Sequence, residues 1–230
     1  MEEPKINLRT QESQYQYIVE SISIERKLGL MSGQVWNDDP KRLCFLLSRY
    51  KFVSRLLKGK KNALEVGCAD GFGTRIVRQT VPNVTGIDFD PIFIENAKSI
   101  KNDNWNIDFI VHDIVSGSLN HKFDSAYALD VLEHIPHEKE NIFVSNIVES
   151  LSQTGVLILG TPTIESQKYA SKPSLEGHVN CKDEPSMRHL LNGFFDNVFI
   201  FSMNDEVVHT GFTPMAHYIF GIGVGNIRGK

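Results

Sequence analysis

The chain has 230 residues, 41% hydrophobic and 23% charged, enough apolar material for the core of one α/β domain, and no apolar run approaches the ~20 residues of a membrane span. A net charge of −4, a pI of about 6.1 and the lack of any Lys/Arg block exclude a phosphate-tracking stripe, so nucleic acid is not an expected partner. Cys44, Cys68 and Cys181 are few and far apart, as suits reduced thiols rather than a disulfide framework or zinc ribbon, and the opening Met-Glu-Glu-Pro-Lys has no apolar leader; a cytoplasmic location is expected.

In chain order, residues 1–30 mix polar and apolar positions without a clean period, and 31–39 read as a polar loop holding Trp36. Pro40 opens a helix to about Leu57, with Leu43, Leu46, Leu47, Tyr50 and Val53 at helical spacing. Residues 1–58 are thus a helical N-terminal segment, and 59–230 the body of a single domain. Strands are expected at 62–66, 84–88, 107–112, 123–129 and 155–161, with helices at 71–79, 91–100 and 138–151. Such alternation predicts a parallel sheet with right-handed crossovers and helices on both faces. A loop is then expected over 162–182, a short helix from Pro185 with Asp183 as cap, a strand pair at Val198–Ser202 and His217–Gly223, and a frayed end from Gly221 to Lys230.

The most informative stretch is Ala63 to Gly73, where an apolar run carrying Glu65 empties into a turn with glycines at 67, 71 and 73. A turn without Cβ atoms lets a ligand reach the main chain and permits positive φ. Asp88 closes the next apolar run, 21 residues beyond Gly67, where a carboxylate at the sheet edge can accept both hydroxyls of a ribose. A dinucleotide uses the same edge, but Glu65 and Asp70 place negative charge where its phosphates would lie, so a cationic nucleoside fits better. The plainer readings are turn punctuation for the glycines and a helix cap for Asp88 ahead of Pro91.

From Asn62 to Gly160 these residues resemble the class I S-adenosylmethionine-dependent methyltransferases. The acid-hydrophobic-Gly-x-Gly-x-Gly pattern appears as Glu65-Val66-Gly67-Cys68-Ala69-Asp70-Gly71, with Ala69 in place of the middle glycine. The resemblance implies an α/β fold: a doubly wound, mostly parallel seven-stranded sheet with a reversed last strand and a helical N-terminal lid. It implies S-adenosyl-L-methionine as cofactor, with S-adenosyl-L-homocysteine as product. Glu65, Gly67, Cys68, Ala69 and Gly71 would hold the methionine portion, Asp88 the ribose with Phe89 beside the adenine, and Asp113 with Ile114 the adenine amine. Phe123 to Ile135 would be strand four and its catalytic-face loop, and Trp36 a lid residue over the substrate.

A sulfonium methyl is a good electrophile, so positioning and desolvation dominate, and a hydroxyl acceptor needs a base near neutral pH. His134, after strand four, and His178, after strand five beside Asn180, stand where open α/β sheets bind ligands. Asp130-x-x-Glu133-His134 resembles the Glu-x-x-Glu-His arrangement of the ubiquinone-type O-methyltransferases, which implies a divalent cation such as Mg²⁺. The preferred alternative has Asp130 on the cofactor's amino group, Glu133 capping a helix and His134 alone facing substrate. Gly177-His178-Val179-Asn180 with Gly160-Thr161-Pro162 is similar to methyltransferases encoded among bacterial surface-polysaccharide genes, whose acceptors include sugars and their phosphorylated or phosphoramidate derivatives. The Asn/Asp-Pro-Pro-aromatic run of base N-methyltransferases is absent: the positions read Ala128-Leu129-Asp130-Val131. An O-methyltransferase for a small-molecule acceptor is therefore expected, as a monomer or homodimer. The alternatives are a quinol O-methyltransferase, a dinucleotide oxidoreductase and a catalytically silent cofactor-binding protein.

Overall fold

A computed structural model describes residues 9–17 and 27–227; the expected N-terminal segment at 1–8 and 18–26 and the final residues 228–230 lie outside them. Helices α1 (Leu30–Asp38) and α2 (Lys41–Leu56) lead into β1 (Asn62–Val66), α3 (Thr74–Val77), β2 (Asn83–Asp88), α4 (Pro91–Ile100), β3 (Ile107–Val111) and β4 (Phe123–Leu129). Then come α5 (Glu140–Glu149), β5 (Leu151–Pro162), α6 (Lys172–Gly177), α7 (Glu184–Asn192), β6 (Phe195–Asn204), β7 (Val207–His209) and β8 (Tyr218–Asn226).

One sheet takes the order β3-β2-β1-β4-β5-β8-β6-β7. The first five strands pair in parallel, β8 runs antiparallel to both β5 and β6, and β7 runs antiparallel to β6. The doubly wound, mostly parallel sheet with a reversed late strand is as expected, but it has eight strands, not seven. The addition is β7, which returns through a turn holding Asp205 at φ +48; three residues are too short a run to show an alternating pattern.

Strands buried on both faces read as near-continuous apolar runs, and alternate residues supply different cores. In β4, Ala126 and Ala128 face the core shared with Phe143 and Ile147 of α5 and Leu191 of α7, whereas Tyr127 and Leu129 face the one shared with Tyr50 and Val53 of α2. α4 starts as its sequence dictates: Asp90 accepts from the Ile92 amide and Pro91 occupies the first turn. That capping role falls to Asp90, which leaves Asp88 at the strand end. α7 is capped by Asp183, which accepts from Ser186, as expected.

Four expectations are corrected. Residues 31–39 are not a loop: they lie mostly within α1, whose Ser32 amide and hydroxyl donate to Asp70 Oδ2 at 2.7 and 2.8 Å. This helix is capped by a residue 38 positions away, a signal that local reading does not carry. The helix expected at 71–79 shrinks to α3, because Gly71 sits at φ +71, outside the right-handed region. The loop at 162–182 contains a turn at Glu165–Tyr169 and α6, which is capped by Ser171 but buries no residue and so has no apolar stripe to read. The glycine-rich end is not frayed as far as Asn226, since β8 pairs on both sides.

Asp70→Ala should fray α1, observed as lost helical ellipticity and faster amide exchange at Ser32, at a cost of about 1–3 kcal/mol. Unchanged exchange there would show that α1 is held by packing alone.

Candidate active site

The carboxyl ends of β1, β2, β4 and β5 share one edge, and the strand order reverses between β1 and β4, the position where open α/β sheets bind ligands. At that switch point Gly67 takes φ +73, and a Cβ there would overlap Val131, so the glycine turn and the loop after β4 touch. Ala69 at φ +45 and Gly71 at φ +71 keep the turn in left-handed conformations.

The turn's amides are spent internally. Gly67 and Cys68 both donate to the Ile87 carbonyl, Ala69 to Asp88 Oδ2, Gly71 to the Cys68 carbonyl, and Phe72 to Asp70 Oδ1. A pyrophosphate would find these N–H groups taken, which disfavours a dinucleotide on stronger grounds than charge. Asp88 also accepts from the Asp90 amide and keeps a second lone pair on each oxygen. Beside it Phe89 is 73% exposed at the rim, presenting an open aromatic face. Asp113 is exposed just past β3, its Oδ1 accepting from Val115. Hydroxyl acceptors, an exposed ring and a Cβ-poor turn on one edge are a donor set that suits an adenosine.

Several expected site residues lie elsewhere. Glu65 is 1% exposed beneath the turn, where Tyr127 donates to Oε2 at 2.8 Å, so it buttresses the turn and does not line the opening. Asp70 caps α1 and is buried, so the negative charge that favoured a cationic ligand in the sequence is not displayed. The Cys68 side chain packs with Ile94 and Phe109, and burial raises its thiol far above the usual range. Ile114 belongs to the main core, and its carbonyl accepts from Asn146 at 2.7 Å. Asn180 is buried in a network, donating to Glu140 and accepting from Lys182 Nζ at 2.7 Å, so it does not face a substrate. Trp36 stands on α1, not on a loop, and is 55% exposed.

Burial lifts the Glu65 carboxyl from its ordinary 4.5 to about 7, against the hydrogen bonds that favour the anion. The native state then binds more protons than the unfolded chain between about pH 4.5 and 7, so stability falls as pH rises through that window. Glu65→Gln should flatten this slope and raise the melting temperature above pH 7, an effect of at most about 3 kcal/mol. Parallel melting curves for the two proteins between pH 5 and 8 would contradict it.

At the β4 end Asp130 adopts φ +57 and receives Arg49 of α2, whose Nη1 lies 2.7 and 2.6 Å from its two oxygens. The guanidinium stacks 3.8 Å from the Tyr218 ring centroid. Arg49 and Tyr218 escaped the sequence analysis because this pairing spans 81 positions. The cation set expected from Asp130, Glu133 and His134 is accordingly not assembled. His178 takes the place of Asp130: one ring nitrogen each of His134 and His178 and an oxygen of Glu133 lie within 4.8 Å of one another. Two imidazoles and one carboxylate are not the hard oxygen shell that Mg²⁺ prefers.

The two imidazole rings meet edge to face with centroids 5.2 Å apart. His134 is exposed, with Nδ1 2.9 Å from the Gly177 carbonyl; His178 is half-buried, with Nδ1 3.0 Å from Gln167 Oε1. Burial and the neighbouring His134 lower the pKa of His178 below its ordinary 6.5. Glu133 does not cap a helix; it is 1% exposed, accepts from Thr161, and is pushed up to about 8 by burial and by Asp130.

Residues 64–159 match the methyltransferase domain family. The matched stretch, from β1 to β5, is similar to that of the class I S-adenosylmethionine-dependent methyltransferases. The chain is 25% identical over 135 residues to the mitochondrial ubiquinone biosynthesis O-methyltransferase of Schizosaccharomyces pombe, covering 54% of this chain and 48% of that protein. It is 29% identical over 110 residues to the O-antigen chain terminator bifunctional methyltransferase/kinase WbdD of Escherichia coli, covering 46% of this chain but 16% of that protein. The chain thus spans half or less of the length of these two relatives. In fold, the N-methyltransferase NodS from Bradyrhizobium japonicum WM9, in complex with S-adenosyl-L-homocysteine, superposes with a TM-score of 0.60 at 20% identity, over 83% of this chain and 90% of that one. Among the described residues no helix is long and apolar enough to cross a membrane.

Proposed function

We propose that the protein transfers a methyl group to an oxygen of a small-molecule acceptor, a sugar or its phosphorylated or phosphoramidate-bearing derivative in bacterial surface-polysaccharide synthesis. The observation that carries this reading is the imidazole pair on the segments after β4 and β5, the first of which touches the glycine turn through Val131 and Gly67. A hydroxyl needs a base to become a nucleophile, and His178 is kept neutral near pH 7 by its lowered pKa. The relative named for O-antigen chain termination supports the acceptor class, and the one named for ubiquinone biosynthesis supports oxygen as the nucleophile.

Asp88 would accept from the ribose hydroxyls, Phe89 would cover the adenine, and Asp113 would meet its amine. Bound S-adenosylmethionine supplies an electrophilic methyl group. His178 would take the proton of the acceptor hydroxyl on Nε2, so that the oxygen's lone pair can bond to the methyl carbon as the carbon–sulfur bond breaks and S-adenosyl-L-homocysteine leaves. His134 flanks that path, and the half-buried rim limits the water that would compete for the base.

A second reading, methyl transfer to nitrogen, is favoured by the fold of the named N-methyltransferase and uses the same base on an ammonium. Incubation with methyl-labelled cofactor and fractionated nucleotide sugars, glycans, quinol precursors and amino sugars separates the two. Label on oxygen is expected. Label on nitrogen, or no transfer although S-adenosylhomocysteine raises the melting temperature, would replace this reading with N-methylation or with a silent binding protein.

A further inference from the structure

We propose that Gln167 is a positioning residue for His178: its side-chain oxygen holds the imidazole as the Nδ1–H tautomer, leaving Nε2 as the lone pair offered to the acceptor. The proposal rests on the reading of His178 as the base. It begins with the amide itself, whose two ends differ chemically and are distinguished here by their partners. Gln167 Nε2 lies 3.3 Å from the Thr163 carbonyl and 3.3 Å from Ser166 Oγ. A carbonyl only accepts, so the nitrogen belongs on that side and Oε1 faces the ring, 3.0 Å from Nδ1. An amide oxygen likewise only accepts, so the ring hydrogen resides on Nδ1.

The support is firmly held. Thr163 donates through its amide to the His217 carbonyl at 3.1 Å and through its hydroxyl to the Ala216 carbonyl at 2.7 Å, which ties the turn at Glu165–Tyr169 to the start of β8. The Ile164 amide also donates a hydrogen bond to the Lys182 carbonyl at 3.2 Å. His134 repeats the arrangement, because the carbonyl facing its Nδ1 is the backbone of Gly177. Both rings therefore have Nε2 free to accept. A site built from acceptors selects a group that brings its own hydrogens, a hydroxyl or an amine rather than a carboxylate. Gln167 sits in the polar run Ile164-Glu165-Ser166-Gln167-Lys168, where nothing in the spacing marks it out.

Nitrogen-15 NMR of the imidazoles in the full chain, without substrate, reads the tautomer directly. His178 is expected to be protonated on Nδ1 in the native protein and in Gln167→Glu, whose oxygen still accepts. In Gln167→Leu the two tautomers should be mixed. Turnover by Gln167→Leu should fall about tenfold or more in kcat, with KM for the acceptor changed less than about twofold, and Gln167→Glu should recover most of the loss. A native His178 protonated on Nε2, or a Gln167→Leu spectrum identical to the native one, overturns the proposal. Should Gln167→Leu fail to fold, the native and Gln167→Glu spectra decide. An Nδ1–H tautomer together with undiminished turnover by His178→Ala would refute the base reading while leaving the hydrogen bond standing.

Discussion

His178→Ala is expected to lower kcat about 10²- to 10⁴-fold, the usual contribution of a positioned base. S-adenosylhomocysteine should bind as before, because the residues that suit the adenosine lie on β1 to β3 and the imidazole does not. His134→Ala should cost less, since its ring is exposed and the Gly177 carbonyl holds it at the margin of the site. The two substitutions differ further in pH dependence. Burial first, and then the neighbouring His134, hold the pKa of His178 below 6.5, so the acid limb of the kcat profile should lie below that value. Removing His134 removes a like charge, and the limb should move toward higher pH. Single-turnover assays over pH 5–8 measure both effects; if both variants turn over the true acceptor at the native rate, neither imidazole is the base.

Lys182→Ala should be the most destabilising single change near the site, costing about 3–5 kcal/mol in urea unfolding. Lys182 is 3% exposed and its ammonium donates to Glu140 and to Asn180. Burial by itself would raise the Glu140 carboxyl, but hydrogen bonds from Lys182 and Asn180 outweigh that and hold it below its ordinary value. Removing the ammonium takes away the buried cation and leaves the Glu140 carboxylate only the Asn180 amide and the exposed His137 ring as partners. The double substitution Lys182→Met with Glu140→Leu should recover much of the loss, because it removes both charges and keeps the volume. Equal instability of the single and double variants would mean that packing, not charge, fails. The network also braces the loops of the imidazole pair: Val179 and Asn180 both donate their amides to the Glu133 carbonyl, joining the segment that holds His178 to the one that holds His134.

The parallel half of the fold was legible because its signals are local. Val84 to Asp88 shows a strand through its apolar run, and Gly67 and Gly71 mark a turn whose φ values of +73 and +71 suit a residue lacking Cβ. The carboxylate of Asp88 and the imidazole of His134 could be placed at the rim because they follow the ends of β2 and β4, whereas His178 comes only after α6. Asn180 misled, since a polar residue two positions from a rim histidine reads the same whether it meets substrate or a buried lysine. The partner of Asp130 could not be read either: its spacing to Glu133 and His134 allowed a shared ion as the lesser alternative, and Arg49 from α2 pairs with it instead.

By itself, then, the sequence determined the alternation of strands and helices, the left-handed glycine turn, the order of the chemical groups along the sheet edge and the resemblance to a methyltransferase. Each of these is written in short local signals, an apolar run or a turn of a few residues, taken in order along the chain. Tertiary structure alone decided which carboxylates are displayed and which are consumed. Asp70 is used as a cap, Glu65 is buried under a tyrosine and Asp130 is paired with arginine, while Gln167 meets the Nδ1 of His178. Each of these outcomes depends on a partner brought close only when the sheet closes, and a carboxylate buried away from water must take whatever donor it meets there.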